Sequence, residues 1–204
     1  MGSQLVEPRR LDISGLPNVI FGHRTILWWA TMGLALVEGS FFVMLVVAYF
    51  FLRGRVVDWP PGVLPPYHLW ATINTILFAV SLVPNHLAKK AAVAGNLRKL
   101  QKLLVVLAAF GLATLLVRIW EFPSLNVGWN SNAYGSLVWG ILVFHTAHLL
   151  TDWVDTLVLT ALMHTKYVEG KRFMDCYENS DYWYFVVLLW IPVYIVVYWV
   201  PYWI

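Results

Sequence analysis

Ionisable side chains recur in this sequence where almost everything around them is apolar. Glu38 lies in the run covering residues 26–52, and His145 and His148 lie in the run covering residues 133–163, followed on the same run by Asp152 and Asp155. A carboxyl and an imidazole facing each other in such surroundings can hold and pass a proton. They can equally serve as polar glue between helices, and the residues themselves leave both roles open. Metal chemistry is disfavoured. Two histidines three positions apart share a helix face and cannot ligate one iron from opposite sides of a porphyrin. His86 and His164, near the ends of their runs, are the geometrically tolerable pair for a bis-histidine haem, but a b-type cytochrome usually buries its ligands deeper. Copper or zinc needs three or four clustered ligands, and no spacing here supplies them. Cys176 is the single cysteine, so neither an intrachain disulfide nor a cysteine-based metal site is available. His23 and His68 read as loop or interface residues.

The elements that must position these groups are membrane spans. The chain has 204 residues, of which 60% are hydrophobic and 12% charged, about half the usual charged share of a soluble domain. Five apolar segments stand out, at about 26–52, 69–87, 103–122, 133–163 and 182–204. Each reaches or approaches the roughly 20 residues that cross about 30 Å of hydrocarbon as a helix. The continuous apolar runs lack the alternation of barrel strands. The expected fold is therefore an all-α membrane protein, a bundle of five transmembrane helices over residues 26–204, preceded by a cytoplasmic segment at 1–25. The second span is the weakest, with Pro84 and His86 near its end. No cleavable signal peptide is read in the polar first 25 residues.

Orientation follows from the 14 lysines and arginines. Arg9, Arg10, Arg24, Lys89, Lys90, Arg98, Lys99, Lys102, Lys166, Lys171 and Arg172 fall on one side, Arg53 and Arg55 on the other, and Arg118 within the third span. The positive-inside rule places the N-terminus in the cytoplasm and the C-terminus outside. Basic residues sorted by membrane side do not form a nucleic-acid patch, so no nucleic-acid partner is expected. Trp28, Trp29, Trp70, Trp120, Tyr182, Trp183, Trp199 and Trp203 read as interfacial anchors. The loop 53–68, with its Trp-Pro-Pro-Gly and Pro-Pro, is expected to be stiff and extended. The stretch 88–102 continues the second helix or lies along anionic headgroups.

Glu38 lies about 12 residues into the first span, roughly 18 Å deep, and His148 about 15 residues, roughly 22 Å, into the fourth. Glu38 is expected to meet His145 or His148 if those helices are neighbours. Asn74 and Thr75 are expected to hydrogen-bond across helices. Arg118 is expected either to snorkel outward or to pair with Glu121 at the end of the third span. Asp152 and Asp155 must be protonated, paired or turned toward protein. Nucleophile elbows, phosphate-binding loops and metalloprotease motifs are absent from the sequence, so no catalytic residue is assigned.

The chain resembles subunit III of the haem–copper oxidases. "MGLALVEGSFFVMLVVAYFF" is similar to the family helix with a buried glutamate, here Glu38. "WPPGVLPP" and "INTILFAVSL" resemble its proline loop and Asn-Thr helix, here Asn74 and Thr75. "WEFPSLNVGWNSNAYGS" has its spacing from Glu121 to Tyr134, Gly135 and Ser136. "FHTAHLL" resembles its paired-histidine motif, His145 and His148, and "YWYFVVLLWIPVYIVVYW" its aromatic last helix. Val143, the two aspartates and "VRIW" depart from the pattern. Five spans imply the short bacterial form, in the inner membrane.

The resemblance implies a non-catalytic accessory subunit of a terminal oxidase in aerobic respiration. It carries no cofactor of its own, with haem and copper in partner subunits. It packs on subunit I and meets further oxidase subunits, binds phospholipid in a cleft between helices 1–2 and 3–5, and supports proton uptake. Glu38, His145 and His148 would form its buried polar site. Cytochrome c and quinol oxidases both fit, related subunits accompany nitric oxide reductases, and a stand-alone b-type cytochrome or proton-coupled protein is the reading from another class.

Overall fold

A computed structural model describes residues 20–165 and 170–203. Among these residues all regular structure is helical, and five helices are long and apolar enough to cross a membrane. They are α1 (Ile26–Arg53), α2 (His68–Val93), α3 (Leu97–Glu121), α4 (Ala133–Met163) and α5 (Gly170–Trp203). Arg9, Arg10, Lys166 and most of the segment 1–25 lie outside the described residues.

Local chemistry sets the helix starts. The Thr25 hydroxyl accepts from the Trp28 amide at 3.1 Å, the Asn96 side chain from Lys99 at 3.1 Å, and the Asn132 side chain from Gly135 at 2.7 Å. Each satisfies an amide left free in a first helical turn.

Helix α2 runs past its expected end at Leu87, and α3 begins before Leu103. Pro84 lacks an amide hydrogen, yet neighbouring helices hold α2 together through it. Beyond Pro84 the small residues Ala88, Ala91 and Ala92 are buried with Leu100, Leu104 and Leu107 of α3. Ala94, Gly95 and Asn96 then reverse the chain, with Gly95 at φ +63°. The stretch 88–102 is thus a helical hairpin. Helix α5 likewise starts well before Tyr182, and a π-helical turn at Ile195–Trp199 sits between Pro192 and Pro201, whose ring nitrogens donate no hydrogen bond.

Helices α2, α3, α4 and α5 form a ring in which each packs on the next and α5 closes on α2. Helix α1 lies outside, against α4 and α5, and buries only Phe42 and Tyr49. This corrects the expected division of the bundle. The second helix belongs with 3–5, because its alanine face and its contacts with α5 fix it there, and the cleft runs between α1 and the α4–α5 pair. The core of the ring holds Phe78, Ile141, Leu142, Val186 and Trp190.

The proline loop is stitched to the rest through its carbonyls. Asn126 donates to Pro65 at 2.8 Å, Tyr202 to Pro66 at 3.1 Å and Asn132 to Pro61 at 3.3 Å. Trp59 donates to the Tyr49 hydroxyl at 2.7 Å, which ties the loop to α1.

Candidate functional site

Helix α4 carries the two histidines, but the structure separates them. Three residues advance a helix by about 300°, leaving the side chains roughly 60° apart. That angle is enough to turn His145 into the ring, where it is fully buried, and His148 toward α1, where it is partly exposed. The expected single site of Glu38, His145 and His148 is therefore two sites.

The first joins α1, α4 and α5. His148 Nε2 lies 3.3 Å from Glu38 Oε1, and the Tyr182 hydroxyl donates to Glu38 Oε2 at 3.0 Å. His148 Nδ1 faces the Phe144 carbonyl at 2.6 Å, so this nitrogen is the donor. Nε2 and Oε1 then need one proton between them to be hydrogen-bonded. The arrangement is a carboxyl–imidazole pair able to hold a proton on either partner, with Tyr182 fixing the carboxyl. Tyr182, expected in the headgroup layer, is the partner that sequence reasoning missed. Because α5 begins at Gly170, Tyr182 and Trp183 fall inside the span, and Trp183 is buried with its indole donating to Ser81 at 3.0 Å. Tyr182→Phe is expected to lower stability by about 1 kcal/mol, the worth of one hydrogen bond, read as reversible unfolding in bicelles. The loss should vanish in a Glu38→Leu background.

The second site lies inside the ring. Arg118 and Glu121, one turn apart on α3, pair at 2.7 Å with side chains 2% and 0% exposed. The Glu121 carboxylate also accepts from Asn74 at 3.0 Å and from Tyr198 at 2.7 Å. Arg118 does not snorkel. Its guanidinium stacks on Trp190, 4.3 Å from the ring centroid, and Nη2 lies 2.9 Å from His145 Nδ1. A guanidinium only donates, so His145 Nδ1 accepts, and Nε2 donates to the Val186 carbonyl at 3.1 Å. These contacts assign His145 the neutral tautomer. Thr75 accepts from the Trp190 indole at 2.8 Å and donates to Ala71 at 2.8 Å. The network ties α2, α3, α4 and α5 together, and its contacts are those of a structural knot.

Between α1, α4 and α5 lies a cavity of about 640 Å³ whose lining includes Glu38, Asp152 and Tyr182. Asp152 is 2% exposed and turned toward protein, one of the alternatives its position required. Among the described residues no group of three or more His, Cys, Asp or Glu is placed to hold a metal ion. His86 Nδ1 lies 3.1 Å from the Tyr184 hydroxyl, and His164 Nδ1 donates to the Thr160 carbonyl at 2.7 Å.

No family model matches the sequence. Among curated proteins the chain is similar to "Cytochrome c oxidase subunit 3" of Synechocystis sp., 26% identical over 180 residues, 86% of this chain and 76% of that protein. It is similar to the protein of the same name from Thermostichus vulcanus, 24% identical over 160 residues, 77% of this chain and 79% of that one. A third, from Pylaiella littoralis, is 24% identical over 139 residues, 67% of this chain and 51% of that protein.

Proposed function

We propose that the chain is a member of the haem–copper oxidase subunit III family and the accessory subunit III of a bacterial terminal oxidase. It packs on the subunit I that carries haem and copper, and it sustains proton uptake during turnover. The observation that carries this reading is the similarity to cytochrome c oxidase subunit 3 along most of the chain, joined to a five-helix multi-pass fold. Helix α1 supports it further: Leu36, Val37, Val43, Met44 and Val47 are exposed along its outer face, an apolar surface suited to a neighbouring subunit or to phospholipid. The N-terminus lies in the cytoplasm in this reading. Lys89, Lys90, Arg98, Lys99, Lys102, Lys171 and Arg172 sit where α2 ends and where α3 and α5 begin, one end of the bundle, opposite Arg53 and Arg55.

Within this role the Glu38–His148 pair is a proton-holding group at mid-membrane depth. Deleting the chain is expected to leave initial oxygen reduction in place while activity fades during continuous turnover, and restoring the chain should restore the steady rate. Deletion without effect on either phase would overturn the proposal. Glu38→Gln is expected to leave assembly intact and slow proton uptake, followed with a pH dye during turnover. An unchanged uptake rate would assign the pair to packing.

A further inference from the structure

Helix α1 is held to the bundle unevenly along its length. Its outer half is anchored, with Phe42 and Tyr49 buried and the Tyr49 hydroxyl accepting from Trp59 at 2.7 Å. From Ile26 to Val37 no residue is buried. Leu27, Thr31 and Leu34 there line the cavity that separates this half from α4 and α5. Ahead of the helix the chain meets the bundle again, where the rings of Phe21 and Tyr177 lie 5.4 Å apart. Between the anchored half and that contact stands Glu38, linked to α4 through His148 and to α5 through Tyr182. Gly39 and Ser40 follow it directly. Sharp helix bends fall at such Gly/Ser pairs. The Ser40 hydroxyl donates to the Leu36 carbonyl at 2.7 Å, a back-bond that favours a bend. A Cβ at residue 39 would meet Phe185 at 3.7 Å, an ordinary contact, so close packing does not account for the glycine.

The link to α4 depends on one proton. His148 Nδ1 donates to the Phe144 carbonyl, so Nε2 turns a lone pair toward Glu38 Oε1 unless a proton lies between them. With that proton the two share a charge-assisted hydrogen bond. Without it two acceptors face each other across 3.3 Å. The surrounding groups do not take its place. Tyr182 on α5 donates to the other carboxyl oxygen. Asp152 and Asp155 on α4, and Asp175 and Glu178 on α5, are further carboxyls around the same cavity, and Arg172 is committed to Asp175 at 3.5 Å. Helix α1 carries no other titratable side chain before Tyr49. We propose that Glu38 and His148 form a proton-operated latch on α1. With the shared proton, the cytoplasmic half of α1 lies against α4 and α5. On its loss, that half swings outward about Gly39 and Ser40 and opens the cavity. Docking is therefore favoured at low pH and lost as pH rises. The latch rests on the proton-holding pair described above, but it belongs to the chain itself and holds whether or not an oxidase depends on it.

Distances between two spin labels in the full chain, measured by pulsed electron resonance in nanodiscs across a pH series, test it. The labels sit at Leu36→Cys on α1 and, across the ring, Leu112→Cys on α3, both exposed positions, in a Cys176→Ala background. One distance is expected at low pH and a second, longer one at high pH. Their ratio should change about tenfold, the scale of one charge-assisted hydrogen bond. Glu38→Gln should hold the shorter distance at every pH, because its amide donates to His148 Nε2 while its carbonyl still accepts from Tyr182. Glu38→Leu should give the longer distance at every pH. Gly39→Ala should shrink the pH-dependent change, and Asp152→Asn should leave it in place. A distance in the parent chain that ignores pH, a pH dependence that survives Glu38→Gln, or one that disappears with Asp152→Asn would overturn the proposal.

Discussion

Arg118→Met is expected to destabilise the chain by about 3–5 kcal/mol, the usual cost of removing one partner from a buried ion pair. The loss is large because of what stays behind. Glu121 is 0% exposed and would keep its donors Asn74 and Tyr198 but lose its counter-charge. His145 would lose the donor to Nδ1, and Trp190 the cation over its face. Glu121→Leu alone strands the guanidinium and should cost a similar amount. The double variant Arg118→Met, Glu121→Leu removes both charges together and should recover much of the loss, because apolar replacement of a whole buried pair is often near neutral. Reversible unfolding of the three variants in bicelles gives the coupling directly. Additive losses would show that the pair is not a unit.

Gly135→Ala is the second large effect, expected to cost about 1–3 kcal/mol through overpacking. A Cβ at this position would stand 2.3 Å from the Gly128 carbonyl oxygen and 2.8 Å from Val127 Cγ2. The nearer atom is backbone, so no side-chain rotation relieves the contact. The loop before α4 would have to move away from the helix, weakening the Asn132 cap on the Gly135 amide. The measurement is the thermal midpoint in detergent. Gly140→Ala on the same helix is the control, since a Cβ there meets nothing within 4 Å, and it should leave the midpoint unchanged or slightly raised. An equal drop in both variants would contradict the steric argument.

Much of the architecture was legible because lipid demands it. Long apolar runs fold as helices that satisfy their own backbone, so the five spans could be read from composition alone. Their ends could not. Lys89 and Lys90 make the close of α2 look like a loop, yet the alanines on either side of them, Ala88, Ala91 and Ala92, give α3 a flat surface to pack on. The charged start of α5 hides in the same way, which displaced Tyr182 from the bundle interior to the headgroup layer in the sequence reading. Glu38 and His148 could be paired by depth, because two helices crossing one membrane put equal counts at equal heights. Their separation from His145 could not be read, since a turn of about 60° decides between core and cleft only when neighbouring helices are known. Arg118 and Glu121 carried a visible signal in their spacing of three. What the sequence lacked was the ring of α2 to α5 that seals them from water.

Membership of an oxidase complex is tested by tagging this chain, solubilising the native membrane in mild detergent and purifying by the tag. A large subunit with haem optical bands and bound copper is expected to come with it in equal amount, in a preparation that reduces oxygen. A tagged chain that emerges alone, or with partners that carry no haem, would contradict it.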